Sequence, residues 1–158
     1  MTVEVRKLVQ SDIDYVRQNP LEDQVKSYPY LEATEYCYTG LINGDIIGVG
    51  GVRIFWEGVG EGWLIFTKDV TKHGTKLMLC LRRMREKTIA DHKLRRFQAI
   101  VRQDFPKAQK MLESLGFVAE GIMEQYLPDG TAAIMYAWVT KKEEVKNGSS
   151  VDNREVVS

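Results

Sequence analysis

One stretch, Gly60 to Gly121, constrains the fold of this chain more than any other. It reads as strand, glycine turn, long basic helix, strand, short helix and a glycine–phenylalanine corner. The strand is Gly62-Trp63-Leu64-Ile65-Phe66, and the turn carries His73-Gly74-Thr75-Lys76. The helix is predicted from about Lys76 to His92 and the next strand over Phe97-Gln98-Ala99-Ile100-Val101, with a short helix from Lys107 towards Phe117. A strand that feeds a helix through a glycine turn leaves backbone N–H groups free at the helix start, where the dipole favours an anion. A second strand and helix beside it make a crevice at the carboxyl edge of the sheet, where open α/β sheets take their ligands.

Composition sets the outer bounds. A chain of 158 residues fits one domain with a real core, and 44% hydrophobic with 28% charged residues is ordinary for a globular protein. No apolar run approaches the roughly 20 residues of a membrane span. The start, Met1-Thr2-Val3-Glu4-Val5-Arg6, lacks the basic and apolar regions of a signal peptide, so a cytoplasmic location is expected. Cys37 and Cys80 have no metal-like spacing and are expected as reduced core residues. Net charge is zero, yet Lys68 to Lys110 holds 13 Lys or Arg against four Asp or Glu. A solvated helix face explains such a cluster, and so does an anionic ligand carrying phosphates.

Elsewhere the pattern is that of a mixed α/β (α+β) domain. Val3 to Leu8 alternates as an opening strand. Ser11 and Asp12 are candidate caps for a helix reaching Asn19, which Pro20 ends. Leu21 to Ser27 reads as a second short helix or turn. Strands over Glu35–Ile42 and Asp45–Phe55 meet at Asn43-Gly44, a two-residue hairpin signal. Gly48, Gly50 and Gly51 suggest a bulge or close backbone approach, and Glu57 to Gly62 reads as a mobile connection. On the long helix Leu77, Leu81, Met84 and Thr88 share a face with Cys80 and Ile89 beside it, a core stripe. A last hairpin is predicted between 121–127 and 131–140, and residues 141–158 read as a disordered tail behind a domain of 1–140. The sum is a twisted sheet of about six to seven strands with helices on both faces.

Over about residues 2 to 140, this order resembles the GNAT superfamily of N-acetyltransferases. The most specific part is Ala108, Leu112, Leu115-Gly116-Phe117 and Glu120-Gly121, which look like the family's fourth helix and its glycine–phenylalanine corner. Two activity-linked motifs depart from the family pattern. In the pyrophosphate turn, aligned on Gly74, Thr71 stands at the first position and Lys76 at the last. In the corner helix the usual Asn start falls at Phe105, after Asp104, and the usual Tyr acid falls at Leu112. A remoter likeness is to short GNAT-like proteins of tailed phages, which share the aromatic central strand, basic helix and eroded motifs; that would place the chain in a host cytoplasm or a virion.

The resemblance implies acetyl-CoA as co-substrate and an unknown amine as acceptor. Such a reaction needs a held pyrophosphate, an amine that loses a proton, a donor for the oxyanion and a proton for the thiolate. Candidates for the first are the backbone N–H groups of His73, Gly74, Thr75 and Lys76, with charge from Lys72 and Lys76; a plain helix start capped by Thr71 or Thr75 is the bland alternative. Glu61 is the first candidate base and Glu57 the second. Main-chain N–H groups of Leu64, Ile65 and Phe66 are candidate oxyanion donors. With leucine at 112, Tyr126 or Tyr136 would have to serve the thiolate, although both also suit a sheet with a bonded hydroxyl. Trp63 and Trp138 are expected to fill the sheet–helix core. The rival reading is a non-catalytic structural or interaction protein of the same fold. Nucleic-acid binding through Arg82, Arg83, Arg85, Arg95 and Arg96 is not expected at zero net charge, and a homodimer is left open.

Overall fold

The computed structural model describes residues 2–21 and 36–141. In chain order the elements are β1 (Val3–Lys7), α1 (Gln10–Gln18), β2 (Cys37–Ile42), β3 (Asp45–Trp56), β4 (Val59–Phe66), a 3₁₀ turn (Lys68–Lys72), α2 (Gly74–His92), β5 (Arg96–Arg102), α3 (Pro106–Ser114), β6 (Val118–Met123) and β7 (Ala133–Val139). The seven strands form one mixed sheet in the order β1-β2-β3-β4-β5-β7-β6. Every neighbour is antiparallel except β4 and β5, which the α2 crossover joins in parallel. No helix of the described residues is long and apolar enough to cross a membrane.

Local chemistry accounts for these elements. Asn43 (φ 52°) and Gly44 (φ 85°) both take the left-handed conformation that a two-residue hairpin demands. Helix α2 buries Cys80, Leu81, Met84 and Thr88, the stripe expected from its periodicity, and packs on β1 and β2. Gly40 of β2 makes that approach close, since a Cβ there would lie 2.9 Å from Cys80 Sγ. The same core takes Leu112 of α3 with Leu115 and Phe117 of the corner. On the opposite face Ile13 and Val16 of α1 meet Val49, Ile65 and Cys37, with Trp63 at the margin. Both cysteines are buried, and burial pushes the Cys80 thiol up to about 11. Trp138 packs against the first core and Trp63 against the second.

Several expectations need correction. Helix α1 is capped at Val9, not at Ser11 or Asp12. Asp12 lies in its first turn, buried, and accepts from Val9 N–H (3.0 Å), Arg6 (2.7 and 2.9 Å) and Thr39 (2.7 Å), which suits a carboxylate inside the sheet better than a surface cap would. Glu57 to Gly62 is not a mobile connection. Only Glu57 and Gly58 turn; Gly60, Glu61 and Gly62 are strand, laddered to β3 on one side and β5 on the other. The glycines there admit neighbours: a Cβ on Gly60 would lie 2.7 Å from Val52, and one on Gly62 2.5 Å from the Phe97 ring. The last hairpin is wider than expected, with β6 ending at Met123 and β7 starting at Ala133. The second short helix expected over Leu21–Ser27 lies, past Leu21, outside the described residues, as does the tail past Lys141.

Gly48 and Gly50 mark close backbone approach within β3. A Cβ on Gly50 would lie 2.8 Å from the carbonyl oxygen of Trp63, a main-chain atom that cannot swing aside. Gly50→Val is therefore expected to lower the unfolding free energy by about 1–3 kcal/mol, read as a fall in denaturant midpoint at constant slope. Gly121→Ala, where a Cβ meets nothing within 4 Å, is the near-neutral control.

Candidate functional site: the gap between β4 and β5

The parallel pairing of β4 with β5 runs only from Val59–Arg96 to Gly62–Ala99. Beyond that rung β4 stays with β3 as far as Phe66, and β5 stays with β7 as far as Arg102. The sheet thus opens into a wedge at its carboxyl edge. The segment Trp63–Phe66, expected beside Phe97–Val101, is the part of β4 that has left β5. Ladder alternation decides which main-chain groups face the opening. Thr67 N–H donates to Ile47 O (3.0 Å), so Ile65 and Trp63 also turn their N–H groups to β3. Leu64 and Phe66 turn theirs towards the gap. Of the three candidate donors, Ile65 is thereby engaged inside the sheet, and the N–H groups of Leu64 and Phe66 have no strand partner among the described residues. The Phe66 carbonyl is taken by Leu21 N–H (3.1 Å). On β5, Gln103 N–H donates to Ala132 O (2.9 Å), and the same alternation turns Ile100 and Arg102 towards β4.

Beside the open end of β4 stands the start of α2. His73 is the cap residue, without a side-chain cap bond. Its N–H donates to Val70 O (3.2 Å), and its carbonyl accepts from Lys76 N–H (3.0 Å) and Leu77 N–H (2.9 Å). Gly74 and Thr75 N–H have no backbone acceptor among the described residues, so the first turn is open at these two. A Cβ on Gly74 would meet nothing within 4 Å. No packing demands glycine there, and a side chain at this position would point into open space. Thr71 does not cap the helix; its hydroxyl donates to Lys68 O (2.9 Å). His73 Nε2 lies 2.8 Å from Asp45 Oδ2, and Lys72 Nζ lies 3.1 Å from Asp69 Oδ1. Both side chains therefore brace the turn, while Lys76 is half-buried with no ion pair within 4 Å among the described residues.

At the level of sequence, no protein-family model and no curated protein matches the chain. Solved structures do. A spermidine N-acetyltransferase, a chimera of the Vibrio cholerae SpeG protein and hSSAT, superposes with a TM-score of 0.72 at 14% identity, over 88% of this chain and 96% of that one. The ribosomal-protein-S18-alanine N-acetyltransferase of Escherichia coli gives 0.69 at 17% identity, over 91% and 98%. A GNAT-family acetyltransferase from Bacillus anthracis gives 0.69 at 14%, over 88% and 95%. The chain has the GNAT fold.

Within the GNAT fold the remaining candidates fall in distinct places. Glu61 is in β4 one residue before the last rung, half-buried on the α1 face, and its Oε1 accepts from Gln98 Nε2 (3.1 Å). It therefore sits at the closed end of the gap. Glu57 is in the β3–β4 turn, about 20 Å or more along β4 from Leu64. Leu112 is 9% exposed and belongs to the core. Tyr136 is 2% exposed, and its hydroxyl donates to Glu113 (3.0 Å); burial first, then that bond, raises its pKa. Tyr126 is 51% exposed on the β6–β7 connection, which Arg102 ties to the carboxyl end of β5 through Asp129 (2.9 Å) and Thr131 (3.1 Å). The basic helix is largely stapled to its own domain: Arg83 donates to Val3 O, Arg85 to Leu115 O, and Lys87 pairs with Asp91.

The sequence reading missed Asp69 and Tyr15. Asp69 is buried in the 3₁₀ turn and accepts from the Tyr15 hydroxyl of α1, which fastens the approach to α2. That hydrogen bond, aided by Lys72 and opposed by burial, holds the Asp69 carboxyl below the usual range. A depressed folded value contributes stability that is present above the unfolded carboxylate pKa and lost as pH falls through the folded one. Tyr15→Phe is expected to cost about 1 kcal/mol at neutral pH and to flatten the loss of stability below about pH 4, measured as denaturant midpoints from pH 7 to 3. An acid limb as steep as that of the wild type would remove Tyr15 from this role.

Proposed function

We propose that the chain is an acetyl-CoA-dependent N-acetyltransferase acting on an amine. One observation carries the reading: main-chain N–H groups without strand partners among the described residues at the β4–β5 gap stand beside a helix start with no side-chain cap bond, where Gly74 has room for a side chain. Acetyl-CoA supplies the activated acyl group. Its pyrophosphate suits the free N–H groups of Gly74 and Thr75 at the positive end of α2, with Lys76 as a nearby cation. Its acyl arm suits the gap, where an extended chain can bond the N–H groups of Leu64 and Phe66. The same N–H groups stabilise negative charge on the carbonyl oxygen as the amine adds.

Glu61 is the proposed base. Its Cα precedes that of Leu64 by three residues, roughly 10 Å, a span that a glutamate side chain and one water bridge. The amine nitrogen bonds to the acyl carbon and gives its proton to Glu61; the carbon–sulfur bond then breaks, and Tyr126 is the proposed donor to the departing sulfur. A non-catalytic relative of the same fold is the second reading, favoured by Leu112 in the core and by the Tyr136 hydroxyl engaged with Glu113.

Because a Cβ at Gly74 meets nothing in the protein, Gly74→Val should fold as the wild type does. By calorimetry it should bind acetyl-CoA at least about tenfold more weakly, through crowding of the phosphate. Unchanged affinity would move the pyrophosphate elsewhere. Glu61→Gln should lower turnover on an amine acceptor by about 10²-fold and leave acetyl-CoA affinity nearly intact. A wild type that binds acetyl-CoA and turns over no amine would favour the non-catalytic reading.

A further inference from the structure

A row of polar side chains crosses the α1 face of the sheet at the closed end of the gap. Glu120 of β6 receives both terminal nitrogens of Arg96, at 3.0 and 2.6 Å. Arg96 Nε donates to Gln98 Oε1 at 2.8 Å, and Gln98 Nε2 donates to Glu61 Oε1 at 3.1 Å. Glu61 and Gln98 are register partners on β4 and β5. The row thus links three strands and ends on the carboxylate proposed as base.

The row has a direction. A guanidinium only donates. Arg96 therefore admits only the carbonyl oxygen of Gln98, and the Gln98 NH₂ must face Glu61. Glu120 holds Arg96 from its other side with a two-pronged bond, which suits a planar fork better than an ammonium. Glu61 Oε1 is then the accepting oxygen, and Oε2, with no hydrogen bond among the described residues and no ion pair to the register partner Arg53, is left for a water or an incoming amine. Stability does not explain the arrangement well, because the Arg96 and Glu120 side chains are 28% and 42% exposed and such pairs contribute little. A base on a long side chain does need restraint, and Gln98, its register partner on β5, supplies a hydrogen bond to it.

We propose that Gln98 and Arg96 are positioning residues that hold Glu61 by one oxygen and keep the other for the proton of the amine. The proposal rests on the reading of Glu61 as general base.

The test is a double-mutant cycle on the full chain. Acetyl-CoA is supplied with a panel of amines (a polyamine, a peptide with a free α-amine, a lysine peptide), and released thiol is read. Gln98→Leu should lower kcat by about tenfold or more with the KM for acetyl-CoA nearly unchanged, and should add nothing once Glu61 is Gln. Arg96→Lys, which keeps the charge and loses the fork, should fall between wild type and Arg96→Leu. A full Glu61→Gln effect with a Gln98→Leu effect that is absent, or that multiplies with it, would overturn this proposal alone. Turnover indifferent to Glu61→Gln, or absent from the wild type across the panel, would overturn both readings. A second measurement needs no acceptor: the side-chain amide NMR signals of Gln98 should move in Glu61→Gln and in Arg96→Leu. Signals unmoved in either variant would overturn the row itself.

Discussion

Everything distinctive in this molecule depends on where β4 and β5 part. Two strands that lie parallel for four rungs, Val59–Arg96 to Gly62–Ala99, are then drawn apart by stronger allegiances, β4 to β3 and β5 to β7. Each of those antiparallel ladders continues past the split, so neither strand frays, and among the described residues the edge between them is met only by Asn19–Leu21, at Phe66 to Lys68. Bare backbone N–H and C=O groups at such an edge favour a partner. A gap of this kind inside a sheet, and not at its rim, is shielded from another protein's strand but open to a slender extended ligand.

The elements around the gap are fastened independently of any ligand. Tyr15 and Lys72 hold Asp69 before α2, and His73 meets Asp45 at the β2–β3 hairpin. Arg102 holds the β6–β7 connection through Asp129, while Asp104 takes its other side. Of the 13 Lys and Arg in Lys68–Lys110, Lys72, Arg83, Arg85, Lys87, Arg95, Arg96 and Arg102 bond to groups of their own domain. At the start of α2 an anion would find the N–H groups of Gly74 and Thr75, without a backbone acceptor among the described residues, and the half-buried Lys76.

Much of the fold was legible because its signals are local. Asn43-Gly44 specifies its hairpin by backbone conformation alone, and the stripe from Leu77 to Thr88 specifies the buried face of α2 by period. The glycines between Glu57 and Gly62 misled for a physical reason. They resemble a loop by composition, yet Val52 and the Phe97 ring occupy the places their side chains would take, a fact that depends on strands far away in sequence. The gap was half legible. Gly74 and the N–H groups behind it follow from strand–turn–helix order, whereas the choice of Leu64 and Phe66 over Ile65 needs the register with β3. The row from Glu120 to Glu61 could not be read at all, since Arg96 and Glu120 are partners 24 residues apart. A lone glutamine within the run Phe97–Val101, Gln98, was the one trace of it in the sequence.

The account stands or falls on whether the unpaired backbone of β4 receives a ligand. Amide hydrogen exchange resolved by NMR, with and without saturating acetyl-CoA, measures this residue by residue. The account predicts that the amides of Leu64, Phe66, Gly74 and Thr75 become protected, while that of Ile65, already bonded to β3, changes little. Protection confined to other segments, or no change at these four amides with millimolar acetyl-CoA present, would contradict it.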